Sequence, residues 1–214
     1  MDMQGIEQLL QDPRIWQPGK SAAPACASVA TGSLALDRVL GGGWPLGQLT
    51  ELLVDLEGMG EMTLLLPALC RLMRPGGQAE AVSGWAAFIA PPYLPYAPAL
   101  RSAGIDLSRL LVVHARQGME DLWAMEQAVR SRTCAAVIGW SARTDQGALR
   151  RLQLAAGQSD AWVVLFRPAS LRRTRSPAPL RVELSRQREG GRLVVQVIKR
   201  RGGPPATISV DLGR

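Results

Sequence analysis

The sequence has few of the residues that build disulfide frameworks, metal centres or membrane spans. Its 214 residues include three cysteines, one histidine and no apolar run near the roughly 20 residues that cross a bilayer. Cys26, Cys70 and Cys134 are odd in number and far apart, which favours free, buried or partly buried thiols over disulfides or a zinc knuckle. His114 follows an apolar run and is predicted to be a strand-end residue. One histidine leaves little scope for a metal site.

The N-terminus also lacks the features of a signal peptide, because its first 16 residues are acidic and polar. We therefore expect a cytoplasmic protein. Hydrophobic residues make up 47% of the chain, and the mean hydropathy of +0.03 is typical of a folded protein and not of a disordered one. A mass of 23.0 kDa fits one domain with a sizeable core.

Positive charge is unevenly distributed. From Arg167 onward there are 12 Lys or Arg against 3 Asp or Glu, although the whole chain carries only +7. This asymmetry predicts a polyanion or an acidic partner near the C-terminal end. The basic residues form two clusters: Arg172, Arg173 and Arg175 in a loop after a predicted strand at 161–166, then Lys199, Arg200 and Arg201 after a predicted strand at 192–198. Neither cluster has interleaved aromatics for base stacking, so three alternatives stay open: DNA phosphate contacts, a protein partner, or a solvated surface.

Apolar segments alternate between the periods of strands and helices. The pattern predicts strands at 49–54, 85–90, 109–113, 134–139 and 161–166, with helices at 61–73, 118–130 and 145–157. A proline-rich segment should begin a further helix that ends at Gly104, and Ser33 should cap one that runs to Leu40. Such alternation predicts a mostly parallel sheet covered by helices on both faces. The C-terminal part has period two and a Gly190-Gly191 turn, which indicates a β-hairpin plus an edge strand.

Residues 50–66, TELLVDLEGMGEMTLLL, lie where a strand, a loop and a helix would hold a triphosphate. A phosphate-binding loop needs two glycines, a lysine for the phosphates and a hydroxyl for magnesium. With Gly60 as the second glycine, the first is replaced by Asp55, the lysine by Glu61 and the hydroxyl by Met62. Thr63 comes one residue late, while Gly58 with Gly60 retains the means to form an anion nest. The alternative is an acidic loop before an ordinary helix.

The preceding segment resembles the entry to the RecA ATPase core. The resemblance rests on Thr31, Gly32, Leu36, Asp37, Leu40, Gly41, Gly42, Gly43, Pro45, Gly47 and Glu51. It implies a RecA-like fold and ATPase motifs in three later segments. In those motifs, Ala90 and Pro92 stand for the acidic pair, Gly139 or Trp140 for the magnesium-linked Asp, and Arg167 or Pro168 for the nucleotide-sensing Gln. These losses favour a pseudo-ATPase that needs no cofactor, and they count against an active recombinase.

Within that family, GGGWPLGQLTELL, GMGEMTLLLPAL and IKRRGGPP closely resemble the ImuA family of bacterial mutagenic translesion synthesis. This resemblance implies a non-catalytic adaptor in SOS-induced DNA damage tolerance. Its implied partners are an inactive ImuB-like Y-family polymerase homologue and an error-prone replicative-type polymerase, with RecA filaments, DNA and a homo-oligomer as further candidates. The alternative is a SulA-like cell-division inhibitor that binds FtsZ.

The sequence divides into three predicted parts: an N-terminal helix and linker at 1–30, a degenerate RecA-like core at 31–168, and a basic loop with a β-hairpin extension at 169–214. Residues 3–11 are predicted to be helical. Trp16 lies in the linker with no core of its own, so it is a candidate docking residue for a partner. The alternative is that Trp16 packs on its own domain.

Overall fold

The computed structural model describes residues 27–55, 57–74, 84–115, 119–143, 145–187 and 192–212. Four predictions lie outside these residues: the helix at 3–11, the docking role of Trp16, the state of Cys26, and the Gly190-Gly191 turn. Cys70 and Cys134 are buried free thiols, as predicted. Burial raises the pKa of both thiols, which disfavours the reactive thiolate.

The described residues form ten strands and five α-helices. The strands are β1 (Ser28–Val29), β2 (Trp44–Pro45), β3 (Gln48–Val54), β4 (Trp85–Ile89), β5 (Leu110–Val113), β6 (Cys134–Trp140), β7 (Trp162–Pro168), β8 (Leu180–Arg186), β9 (Leu193–Arg200) and β10 (Ala206–Val210). The α-helices are α1 (Leu34–Leu40), α2 (Glu61–Met73), α3 (Ala97–Ser102), α4 (Met119–Arg130) and α5 (Gln146–Gly157). Short 3-10 helices span Leu107–Arg109 and Ala169–Arg173. No helix in these ranges is long and apolar enough to cross a membrane.

Eight strands form one sheet in the order β10-β9-β8-β3-β7-β6-β4-β5. The pairs from β8 through β3, β7, β6 and β4 to β5 are parallel. β8, β9 and β10 pair antiparallel, while β1 and β2 form a separate two-stranded ribbon. This topology confirms the predicted α/β class, with a mostly parallel sheet and a C-terminal antiparallel part.

Helices cover both faces of this sheet. One core packs α2 against β3, β4 and β6, with Leu65, Leu69 and Phe88 among its buried members. The other packs α4 and α5 against the opposite face, around Met125 and Leu152. Parallel strands with crossover helices need this double cover because each strand is apolar on both faces. The carboxyl ends of β3, β4, β6 and β7 consequently meet at one edge of the sheet.

Local residues explain where the first helix begins and ends. The Ser33 hydroxyl accepts a hydrogen bond from the N–H of Leu36 at 3.4 Å and so caps α1. Gly41 follows the helix with φ of 79°, a conformation that glycine adopts at low cost. Both features agree with the sequence-based prediction. The predicted helix at 61–73 is likewise confirmed as α2.

Two predictions about strands were wrong. The segment 110–113 was expected to be covered on both faces, but Leu111 and Val113 are exposed in β5. The reason is that β5 is the last strand of the sheet and has β4 as its one strand partner among the described residues. The basic pair Lys199 and Arg200 was expected to follow its strand. Both residues instead belong to β9, where Lys199 pairs with Arg181 and Arg200 with Leu180 of β8, beyond a register shift between Arg181 and Val182.

Candidate functional site

A buried carboxylate, that of Glu61, lies against the loop between β3 and α2. Glu61 is the first residue of α2 and is 8% exposed. Its Oε1 accepts a hydrogen bond from the Gly58 N–H at 2.8 Å. Backbone N–H groups in this kind of loop are the groups that hold phosphate in nucleotide sites. In this loop the Gly58 N–H instead donates its hydrogen bond to the Glu61 carboxylate.

The second Glu61 oxygen, Oε2, is buried and has no hydrogen-bond partner among the described residues. Two further acidic residues of the loop, Asp55 and Glu57, are exposed. A carboxylate near a helix N-terminus is favoured by the helix dipole, which helps the chain to tolerate a buried Glu61. The loop is therefore acidic, and Glu61 Oε2 is a buried hydrogen-bond acceptor without a donor in the described part of the chain.

The C-terminal segment packs against the same loop. A Cβ placed on Gly60 would lie 2.4 Å from Leu212 Cδ1, and Gly60 has φ of 105°. Glycine is required there for the backbone conformation and for the close approach of Leu212. Met62 and Leu212 both pack against the core on this face of the sheet, whereas Thr63 is exposed. These contacts join the loop to the end of the described chain.

Aromatic rings fill the neighbouring carboxyl end of β6. The Trp140 ring is stacked on Phe166 of β7 at a centroid distance of 5.1 Å, and it meets Phe88 of β4 edge-on at 5.9 Å. Gly139, the alternative position for a magnesium-linked Asp, is buried; a Cβ there would lie 2.2 Å from Met125 Sδ. Neither Gly139 nor Trp140 has a side-chain oxygen that could bind magnesium.

A proline-rich loop follows β4 and forms a groove with the acidic loop. Ala90 begins it with φ of 52°, which is strained for a residue other than glycine. The groove has a volume of about 280 Å³. Its lining comprises Glu57, Glu61, Met62, Thr63, Leu66, Phe88, Pro91, Pro92, Tyr93, Leu94, Pro95, Tyr96, Ala99, Leu100 and Trp140. The groove thus lies between the acidic loop and an aromatic and proline-rich wall.

A buried ion cluster crosses three strands close to this edge. Glu51 of β3 accepts hydrogen bonds from Arg167 NH1 of β7 at 3.0 Å and from Arg181 Nε of β8 at 2.8 Å. The Ser176 hydroxyl also donates to Glu51, and Arg167 donates to the Arg143 carbonyl. The side chains of Glu51 and Arg167 are fully buried. With two guanidinium groups and one carboxylate, the cluster carries one excess positive charge.

This cluster was not predicted from the sequence as a unit. Glu51 was interpreted as part of a motif and Arg167 as a replacement, whereas Arg181 had no assigned role. Glu51 is 116 residues from Arg167 and 130 residues from Arg181. The available signal was charge inside otherwise apolar strands, where an ion needs a buried partner.

The basic clusters are only partly available to a ligand. Arg172 pairs with Glu183, Lys199 donates to the Ser176 carbonyl at 3.1 Å, and Arg200 donates to the Val39 carbonyl. The Lys199 bond brings the two clusters together beside Ser176. The remaining members, Arg173, Arg175 and Arg201, are exposed.

Two other predicted positions have simple surroundings. His114 is exposed directly after β5, in agreement with the prediction that it is a strand-end residue. Pro168 is exposed at the end of β7. No group of three or more His, Cys, Asp or Glu with metal-binding geometry lies within the parts of the chain that the structure describes.

Comparison with known proteins bears on this arrangement. A family model described as the RecA N-terminal domain matches residues 1–164. The chain belongs to the RecA N-terminal domain family. The RecA-like resemblance of the sequence is therefore confirmed, and the loop between β3 and α2 lies inside the matched range.

Individual RecA proteins match shorter segments. The chain is 33% identical over 133 residues to protein RecA of Crocosphaera subtropica, covering 62% of this chain and 36% of that protein. It is 38% identical over 112 residues to protein RecA of Chlorobaculum parvum, and the match covers 52% of this chain and 30% of that protein. It is 36% identical over 112 residues to protein RecA of Mycoplasma pneumoniae, and the match covers 52% of this chain and 31% of that protein. The chain spans about a third of the length of these relatives.

Proposed function

We propose that this RecA-family chain is a pseudo-ATPase that serves as a non-catalytic adaptor in bacterial mutagenic translesion synthesis. The pseudo-ATPase part of this proposal rests on the Glu61 carboxylate, which accepts a hydrogen bond from the Gly58 N–H within the loop. A phosphate at that donor would have to displace a carboxylate, and would then lie beside it. Two like charges about 4 Å apart repel by about 4 kcal/mol at an effective dielectric constant near 20.

The carboxyl ends of the strands support the same proposal. Trp140 is enclosed by two aromatic rings, and Pro92 and Arg167 stand where the resemblance implies catalytic groups. An aromatic stack supplies neither a magnesium ligand nor a base for water. Arg167 is held by Glu51, so it is already engaged as a structural cation.

The chain is expected to show no binding of magnesium-ATP at about 1 mM and no ATPase activity above background, because of this charge and this packing. Isothermal titration calorimetry with a non-hydrolysable ATP analogue measures binding, with a purified RecA protein as the positive control. Micromolar affinity of the wild-type chain would overturn the pseudo-ATPase assignment.

The adaptor role rests on the ImuA resemblance together with the loss of catalytic groups. A scaffold without nucleotide chemistry retains surfaces for other proteins, and Tyr93, Leu94 and Tyr96 are each more than 70% exposed. Exposed aromatic residues are frequent anchors of protein interfaces. The implied partners are an ImuB-like polymerase homologue and an error-prone replicative-type polymerase.

Pairwise binding tests the adaptor role directly. The purified chain is immobilised and exposed separately to an ImuB-like polymerase homologue, an error-prone replicative-type polymerase, RecA filaments and FtsZ. Binding to the ImuB-like homologue supports the proposal. Binding to FtsZ alone would contradict it and would identify a SulA-like inhibitor.

Any binding of single-stranded DNA is proposed to use Arg173 and Arg175, which are exposed, more than Arg172, which pairs with Glu183. Replacing Arg173 and Arg175 together with Ala should reduce the slope of log K against log salt by about 0.7 for each phosphate that the protein ceases to neutralise. Fluorescence anisotropy at several salt concentrations measures the slope. Arg130→Ala, at an exposed arginine on α4, is the matched control. A slope unchanged by the double substitution would place the DNA-binding surface elsewhere.

A further inference from the structure

The groove beside Glu61 has the chemistry of a cation site, although it lies where the family resemblance implies an anion site. Its wall includes Glu61, whose Oε2 is buried without a hydrogen-bond partner in the part of the chain that the structure describes. A buried acceptor without a donor is costly unless a ligand supplies one. Glu57 lies on the same wall and is exposed. None of the described residues that line the groove is Lys, Arg or His.

Aromatic rings complete this environment. Tyr93 and Tyr96 are each 72% exposed, and Trp140 contributes to the same wall. A guanidinium or ammonium group is attracted to the faces of such rings, and the apolar stem of an Arg or Lys packs against them. The combination of carboxylate and aromatic faces therefore selects positive charge and rejects phosphate.

The wall is also stiff. Pro91, Pro92, Pro95 and Pro98 lie in or directly after the loop that follows β4. Each proline fixes its own φ, which lowers the entropy lost when a ligand orders the loop. A volume of about 280 Å³ accommodates one long side chain and an apolar neighbour, but not a folded domain.

We propose that this groove, defined by Glu61, Glu57, Tyr93, Tyr96 and Trp140, binds a short partner segment that places an Arg or Lys beside an apolar residue. The cation of the segment meets the Glu61 carboxylate, and its apolar residue contacts the exposed Tyr93, Leu94 and Tyr96. This inference rests on the proposed adaptor function, for which it defines the chemistry of one docking site. The site that has lost the triphosphate thereby holds a cationic peptide.

The test uses three probes with one backbone: acetyl-Leu-Arg-Phe-amide, the same peptide with neutral citrulline for Arg, and the same peptide with Glu for Arg. NMR titration follows the methyl groups of Met62, which lines the groove, and of Met125, which is buried on the opposite face of the sheet. The Arg peptide should bind the wild-type chain at least about tenfold more tightly than the citrulline peptide, because charged hydrogen bonds exceed neutral ones. The shifts should affect Met62 and not Met125.

Variants separate charge from shape. Glu61→Gln preserves size and should abolish the preference for Arg over citrulline, whereas Asp160→Asn, the same charge change at an exposed residue before β7, should preserve it. Tyr96→Ala, at an exposed position, should weaken both peptides through lost apolar contact, and the Arg peptide by at least as much as the citrulline peptide because a ring face is also lost. Thermal melts of each variant establish that it is folded.

Equal affinities of the wild type for the Arg and citrulline peptides, or a preference that survives Glu61→Gln, would overturn the proposed site. Shifts at Met125 without shifts at Met62 would also overturn it. A lack of peptide binding together with a lack of ATP binding refutes this site but leaves the pseudo-ATPase proposal intact. Micromolar ATP binding refutes the pseudo-ATPase proposal itself.

Discussion

Glu51→Gln is expected to lower the free energy of unfolding by about 3–5 kcal/mol, because it leaves two buried guanidinium groups without their counter-ion. Glu51 is fully buried and is shared by Arg167 and Arg181. The Gln amide oxygen still accepts hydrogen bonds, but the amide supplies no negative charge and its NH2 group faces a guanidinium donor. Urea denaturation followed by tryptophan fluorescence measures the loss.

Arg167→Met is the matched comparison and should cost less than half as much as Glu51→Gln. It removes the excess positive charge, since Glu51 keeps Arg181 and the Ser176 hydroxyl as partners. It also removes the buried Arg167 Nε, for which the described ranges contain no hydrogen-bond partner. Similar losses for the two variants would show that the excess positive charge left by Glu51→Gln does not determine the contribution of this cluster.

Gly43→Ala is expected to destabilise the chain by about 3 kcal/mol, from backbone strain together with a steric overlap. Gly43 has φ of 129°, and a Cβ there would lie 2.2 Å from the Val29 carbonyl oxygen. The overlap involves backbone, so no side-chain rotation relieves it. It would move Trp44, which is fully buried and lies 5.9 Å from the Trp162 ring. Thermal and urea unfolding measure the change.

Gly157→Ala provides the control for the Gly43 variant. Gly157 ends α5, its φ is not in the left-handed region, and a Cβ there would meet no heavy atom within 4 Å. The substitution should leave stability unchanged or raise it by up to about 1 kcal/mol. A Gly43 variant as stable as the Gly157 variant would show that the β1-β2 ribbon is free to relax.

Much of the fold was predictable because strands and helices alternate along the chain. The boundaries of α2 agree with its apolar periodicity, since its buried residues include Leu64, Leu65, Ala68 and Leu69. The exposed side of β5 was not predictable from the run LLVV, because an apolar run does not show whether its strand lies in the middle of a sheet or at its edge, where β5 lies. Strand order depends on tertiary packing, which a local pattern does not contain.

The acidic character of the loop between β3 and α2 was predictable, whereas its internal contacts were not. Glu61 is visible in the sequence, but the inward turn of its carboxylate to the Gly58 N–H depends on the backbone geometry of the loop. The contact between Leu212 and Gly60 joins residues about 150 positions apart and needs the folded C-terminal strands. The aromatic stack around Trp140 similarly needs β4, β6 and β7 to be neighbours.

The position of β8 ties the C-terminal extension to the rest of the molecule. β3, which leads into the acidic loop, lies between β7 on one side and β8 on the other. A chain that stopped at Pro168 would turn β3 into a sheet edge with unpaired backbone groups, and such edges recruit strands from other molecules. By pairing with β3, strand β8 of the extension prevents β3 from pairing with strands of other molecules. A chain segment that keeps β3 paired on both sides therefore extends at least through β8, past the residues that resemble an ATPase core.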